Sequence, residues 1–294
     1  MFGYRSDGKR VKDVSLLFRI IPHIMKERND AEVFFKQDIP LKGMDRYIEA
    51  KAGEGIKFSY MGIIYAAAVK TIAQRPSLNR FIIDGRIYDR NDIILSVMIK
   101  KSMDDSGEET AVKIKFTGKE SIFEIKEKLD NAVAENKQKE MQNSMDKFVK
   151  VLGRTPNIVL KIVVGLLKKL DKWGMLPKPI IALSPFHTSA FLTNVASIGI
   201  DAIFHHIYDF GTTGIFLAMG KKKKSYIYDD DILKVEKCIS LAFVGDERIC
   251  DGFYFASSMK SFRKYLKKPE LLEEHFSNEK KQQNVAQEAK EVVV

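Results

Sequence analysis

The stretch Val244-Gly-Asp-Glu-Arg-Ile-Cys-Asp-Gly-Phe-Tyr-Phe-Ala-Ser-Ser258 constrains the chain most. It follows an alternating apolar run and precedes an amphipathic one, so it reads as a strand, a tight turn and a helix. Asp251-Gly252 alone accounts for a turn. The charged residues before it, Asp246, Glu247 and Arg248, need a further reason to sit where a core strand ends.

The rest of the chain is read around that unit. With 294 residues, 45% of them hydrophobic, it can bury a sizeable core. Forty-nine basic against 39 acidic residues leave a net charge of +10, which favours anionic partners. No zinc-finger spacing, arginine-rich arm or aromatic-basic signature accompanies that charge, so nucleic acid is not an expected partner. Two cysteines, Cys238 and Cys250, cannot build a disulfide framework or a four-thiolate metal site. The apolar stretch Ser15 to Met25 is interrupted by Arg19 and His23 and lacks a small-residue cleavage site, so it is no secretory signal. A cytoplasmic protein is the simplest expectation.

Helices are expected around Val14 to Lys26 and Met44 to Lys51, and from a Ser59 cap to Arg75, where Pro76 stops the turn. Strands are expected at Glu32 to Leu41, Phe81 to Ile87 (hairpin turn at Asp84-Gly85), Ile93 to Lys100 and Ala111 to Phe116. Thr117-Gly-Lys-Glu120 reads as a capping box for a polar helix ending near Lys139. After Pro177 and Pro179, strands are expected at Phe191 to Ile198, Gly214 to Met219, Ser225 to Tyr228 and Val235 to Val244. The Lys221–Lys224 run is expected in a hairpin and Asp229 to Asp231 in a turn, before a last helix from Ala256 to Lys267. The whole predicts one mixed domain over 1–276, helices against a largely antiparallel sheet, followed by a disordered tail at 277–294.

One segment stands apart. Between Asn157 and Lys172, inside an apolar helical insertion at about 146–175, Lys161, Gly165, Lys168 and Lys172 form a single stripe and nearly everything else is Ile, Val or Leu. So wide an apolar face must meet a core, a neighbouring subunit or a lipid surface. Burial within the protein is the first expectation, and a membrane surface the lesser alternative.

The histidines offer little. His205-His206, read as strand neighbours, would point to opposite faces, and no ligand spacing surrounds them, so no metal site is expected. His187-Thr188-Ser189 reads as a polar turn. Gly211-Thr-Thr-Gly214 lacks the lysine and spacing of a phosphate loop and reads as a strand-entry turn.

Four segments taken in order say more: Phe191 to Gly199, Gly214 to Gly220, Ile239 to Val244 and Asp246 to Gly252. Together with the Ser59 helix, its Arg75-Pro-Ser-Leu-Asn79 end and Asp84-Gly85, they resemble the catalytic domain of 2-oxo acid dehydrogenase complex acyltransferases, and with them the chloramphenicol acetyltransferase fold. The resemblance covers roughly residues 10 to 275. It implies an α+β domain that builds trimers or multiples of three, with an active site between subunits. It also implies coenzyme A as substrate and a separate lipoyl or acyl carrier as partner, since no lipoyl group is expected on this chain.

In that family a histidine in a His-x-x-x-Asp-Gly motif removes the thiol or hydroxyl proton. Asp251 and Gly252 match the end of the motif, Thr193 matches the hydroxyl that stabilises the oxyanion, and Arg19 is the implied arginine partner that orders the site through Asp251. The histidine position holds Glu247. Two functions follow: an acyltransferase with an altered base, or a non-catalytic trimeric scaffold of the same fold.

Overall fold

The computed structural model describes residues 4–100, 109–138, 154–229 and 232–275. A six-stranded sheet in the order β2-β9-β8-β7-β5-β6 forms the frame. Its strands are β2 (Glu32–Pro40), β5 (Ile93–Lys100), β6 (Glu109–Phe116), β7 (Ala190–Asn194), β8 (Ile215–Asp229) and β9 (Ile232–Asp246). Pairing is antiparallel except where β7 lies parallel to both β5 and β8. A smaller sheet, β1-β4-β3, comprises β1 (Gly8–Arg10), β3 (Arg80–Ile83) and β4 (Arg86–Arg90). Asp84 and Gly85 make its hairpin turn with φ of 51° and 70°, both left-handed as a two-residue hairpin requires.

One face of the large sheet carries α2 (Lys42–Gly53), α3 (Tyr60–Gln74), α4 (Ile122–Gln138) and α7 (Gly252–Lys267). Alternation does the sorting. Ile215 and Leu217 on β8 and Ile239, Leu241 and Phe243 on β9 share one core with Ile63, Ile64 and Val69 of α3 and Phe262 of α7. The opposite face is also covered: Phe191, Phe216 and Val244 pack on Ile207, while Ala218 and Ala242 pack on Ala202. This double burial leaves 215–219 and 238–244 buried residue after residue, where a strand with one wet face would alternate. A Cβ on Gly220 would lie 2.0 Å from the Ala202 nitrogen, so the covering segment can approach only a glycine there.

Several expectations shift. Helix α1 spans Leu16–Ile24, capped by Ser15. The expected Thr117–Glu120 pair forms, the Glu120 carboxylate accepting from the Thr117 amide at 2.8 Å, but the box that opens α4 is Ser121 with Glu124, whose carboxylate accepts from the Ser121 amide at 2.7 Å. The expected end of that helix, near Lys139, lies outside the described residues, as do positions 230–231 and the tail 277–294.

Strand β7 stops at Asn194, whose side chain caps a 3-10 turn over Val195–Ile198, because it accepts from the Ala196 amide. Lys221–Lys224 lie within β8, past a bulge between Met219 and Lys222, and not in a hairpin. Lys223 is tied to Asp38 (3.2 Å) and Asp201 (3.1 Å), and Lys222 sits 4.1 Å over the Tyr60 ring. Lys222 to Lys224 thus stay in the ladder with β9, helped by the charge pairing of Lys223. A short helix, α6 (Lys178–Leu183), follows Pro177 where only strands were expected.

The apolar helix forms as α5 (Asn157–Lys172), but the chain does not bury its apolar face. Asp171 alone is buried along it, while Ile158, Ile162 and Leu166 stand exposed. Its C-terminal end is fastened from within. Arg5 Nη1 donates to the Asp171 carbonyl at 2.7 Å and to its carboxylate at 2.8 Å. Gly174, at φ 72°, meets the backbone of Tyr4 so closely that a Cβ would lie 2.2 Å from its carbonyl oxygen.

Candidate functional site

The charged turn has its reason in the N-terminal segment. Arg248, side chain 2% exposed, grips the neighbouring Asp246 bidentately, Nε and Nη2 each at 2.8 Å. Its remaining arm donates to the carbonyls of Met25 (2.8 Å) and Lys26 (3.2 Å). Arg28 stands on the other side of Asp246 at 3.7 Å and donates to the carbonyls of Tyr208 (2.6 Å) and Gly211 (3.0 Å). Complete burial draws its guanidinium below the usual arginine range, with Asp246 opposing. One carboxylate and two guanidiniums thus sew the end of β9 to the segment between α1 and β2. Backbone bonds finish the seam: Asp246 N to Gly214 O and Glu247 N to Ala31 O, both 2.9 Å.

The seam fixes the backbone of Glu247 while leaving its side chain exposed. Asp246, which from sequence stood beside it as a like charge, is turned inward to the two arginines. Asp251 is the N-cap of α7, its carboxylate accepting from the Tyr254 amide at 2.7 Å, and Gly252 opens the helix. The helix therefore begins at the Asp-Gly pair and not at Ala256. Burial, with Asp251 nearby, pushes the intervening Cys250 thiol up to about 12, so it holds no thiolate at neutral pH.

Arg19 does not meet Asp251. It is exposed on α1 and lines a cleft of about 1470 Å³ between α1, the β3–β4 hairpin and α5. The arginines that brace the turn in the structure are Arg248 and Arg28, and the carboxylate they hold is Asp246. The sequence singles out Asp246 and Arg248 as charges needing a reason but carries no signal for Arg28, whose partners are carbonyls of remote segments. Lys12, Lys26, Arg86, Lys168 and Lys172 also line the cleft, which gives it a basic wall. Glu247 lies outside it.

Thr193, half-buried on β7, is distant from Glu247 within one chain. It pairs with Ala218, which pairs with Ala242, and Glu247 follows five residues farther along β9. That is roughly 17 Å along the strands, with two strand spacings of about 4.8 Å across. Within one chain the two positions stand well apart along the sheet.

His187 belongs to a separate buried cluster. Its Nδ1 lies 2.8 Å from Ser184 Oγ and its Nε2 3.3 Å from Asp171 Oδ2, with Arg5, Asp7 and the Phe210 ring around it. Ser-His-Asp composition invites a nucleophilic reading, but the ring is wholly buried. The cluster instead ties α5 to the core. Burial holds the imidazole below its usual range although Asp171 draws the other way. A neutral imidazole so placed contributes stability above the unfolded pKa of ~6.5 and loses it as pH falls below that. Thermal melts should therefore show a loss between pH 7 and pH 5 that shrinks in His187→Gln; an equal loss in both forms would refute this role.

His205 and His206 lie outside any strand with rings 4.7 Å apart, stacked and not opposed. Among the described residues no three His, Cys, Asp or Glu side chains converge as metal ligands would. The Gly211–Gly214 stretch does lead into β8, with Thr213 Oγ1 donating to the Phe186 carbonyl at 2.9 Å.

An α+β sheet with this strand order is the chloramphenicol acetyltransferase-like fold. A probable dihydrolipoamide acetyltransferase from Listeria monocytogenes matches with a TM-score of 0.55 at 15% identity, covering 88% of this chain and 94% of that one. A truncated catalytic core of the 2-oxoacid dehydrogenase multienzyme complex from Thermoplasma acidophilum gives 0.54 at 14%, covering 89% and 99%. A chloramphenicol acetyltransferase gives 0.53 at 11%, covering 88% and 99%. Within that fold, residues 187–273 match the family described as 2-oxoacid dehydrogenases acyltransferase (catalytic domain). No curated protein sequence matches the chain.

Proposed function

We propose that the chain is a coenzyme A-dependent acyltransferase of the 2-oxo acid dehydrogenase acyltransferase type, with Glu247 at the proton-accepting position. One observation carries the reading: the family match over 187–273 contains Thr193, Glu247, Asp251 and the braced turn between them. In the proposed step the Glu247 carboxylate takes the proton of the attacking thiol. The sulfur adds to the thioester carbonyl, and the Thr193 hydroxyl donates to the oxyanion. Collapse expels the second thiolate, which recovers the proton from Glu247. Asp251 and Gly252 position the turn by starting α7, and Arg248 and Arg28 position it through Asp246. The basic wall of the neighbouring cleft suits a substrate that carries phosphates.

The separation of Thr193 from Glu247 supports a site completed by another copy, and hence the trimer that the resemblance implies. Helix α1 offers a surface for it, with Leu16 (75% exposed), Leu17, Ile20 and Ile24 (71%) along one uncovered side. Sedimentation equilibrium in dilute buffer is expected to give three chains or a multiple of three. A clean monomer at micromolar concentration overturns the shared-site mechanism.

The second reading, a non-catalytic trimeric scaffold, draws its support from Glu247 itself, since a carboxylate replaces the family's imidazole. Coenzyme A binding separates the two: a scaffold has no reason to keep it.

A further inference from the structure

We propose that α5 docks the protein on an anionic lipid surface, lying in the interface without crossing it. The proposal does not depend on the chemistry at Glu247.

Three stripes divide the helix. The inner one, Leu160, Val163, Leu167 and Leu170, is half-buried and ends on Asp171. An outer apolar stripe runs at helical spacing through Ile158 (76% exposed), Ile162 (65%) and Leu166 (53%), and Trp173 follows it just beyond the last turn. Beside it lie Lys161, Lys168 and Lys172, none of them in a salt bridge among the described residues, the last two also lining the cleft beside α1. Lys169 completes the end of the helix, its ammonium 5.9 Å from the Trp173 ring.

The acid–base arrangement decides the occupant. The single carboxylate of α5 is Asp171, and it is turned inward to Arg5. No other carboxylate of α5 offsets its four lysines. A bilayer carrying anionic headgroups takes both parts at once: the apolar stripe enters the acyl boundary, and the lysines reach the phosphates. Trp at the helix end suits the same boundary, where an indole keeps its body in apolar surroundings and its N–H wet.

Length fixes the mode. Sixteen residues span about 24 Å, short of the ~30 Å hydrocarbon core, and no described helix is long and apolar enough to cross a membrane. The Arg5–Asp171 anchor holds the C-terminal end to the body, so a docked helix carries the whole domain with it.

The chain has one tryptophan, so Trp173 emission reports on this helix alone. The full chain is mixed with phosphatidylcholine vesicles, with and without phosphatidylglycerol, and both co-sedimentation and emission are followed. Binding and a blue shift are expected with the anionic vesicles only, both weakening as salt rises. Lys161→Gln with Lys168→Gln and Lys172→Gln should weaken binding on the order of a hundredfold. Ile162→Glu with Leu166→Glu should abolish it while leaving the thermal melt unchanged, since both side chains are exposed.

Absence of a blue shift with anionic vesicles overturns the proposal, and so does undiminished binding by the double Glu variant. A parent chain that ignores vesicles but falls from trimer to monomer when Ile162 and Leu166 become Glu would assign the stripe to contacts between copies instead.

Discussion

Replacing Glu247 by histidine should raise acetyl transfer from acetyl-coenzyme A to dihydrolipoamide by on the order of a hundredfold. A free carboxyl group titrates near ~4.3, an imidazole near ~6.5 and a thiol near ~8.5. Moving the acceptor about 2 units closer to the thiol is worth about 3 kcal/mol of driving force, or on the order of a hundredfold in rate if fully expressed. The Glu247 side chain is exposed, and the neighbouring Asp246 faces Arg248 and Arg28. The exchange also costs the fold little, because the turn is held by the Glu247 backbone amide and by its neighbours' side chains. Steady-state transfer by the natural form, Glu247→His and Glu247→Ala decides. A natural form already faster than both variants makes Glu247 a working base and overturns the weak-base prediction. Three inactive forms that also fail to bind coenzyme A establish the scaffold reading.

Much of this arrangement is written locally. Ser59 before an apolar run gives the cap of α3, and its side chain indeed accepts from the Gly62 amide. Asp84-Gly85 gives the hairpin, and the apolar runs at 214–219 and 235–244 give the two central strands. The failures share one physical cause, which is pairing across long sequence distances. The lysines at 221–224 read as a loop because their partners, Asp38 and Asp201, are remote. Arg28 gives no signal because what it binds is mostly backbone carbonyl, which no side-chain pattern reveals. The resemblance implies Arg19 as the partner of Asp251, whereas α1 presents it to the cleft and Asp251 spends its carboxylate on a helix cap. The uncovered face of α5 was legible as a problem and not as a solution: periodicity states that a face is apolar, and only packing states whether it is covered.

Breaking the seam at Asp246 should destabilise the protein more than any surface change described above. Removing one partner of a buried ion pair typically costs 3–5 kcal/mol, because the charge left behind has lost both water and its counterion. Arg248→Ala leaves the Asp246 carboxylate with Arg28 still at 3.7 Å, so about 3 kcal/mol is expected. It also strands the carbonyls of Met25 and Lys26. Asp246→Ala is the worse loss, about 5 kcal/mol, since it leaves two buried guanidiniums facing each other with no anion between them. Arg248→Lys keeps the charge but not the two parallel bonds to the carboxylate, and should fall between Arg248→Ala and the natural form.

Urea unfolding of the three variants measures the order, and an Asp246→Ala form no less stable than Arg248→Lys would remove the seam from the account. The same variants bear on function. In a Glu247→His background, Arg248→Lys should lower kcat more than it raises KM, because a loosened turn misplaces the proton acceptor without altering the substrate contacts. Equal activity in both backgrounds would mean that the Glu247 position is held by α7 and Asp251 alone, with Asp246 and Arg248 serving only to join β9 to the N-terminal segment.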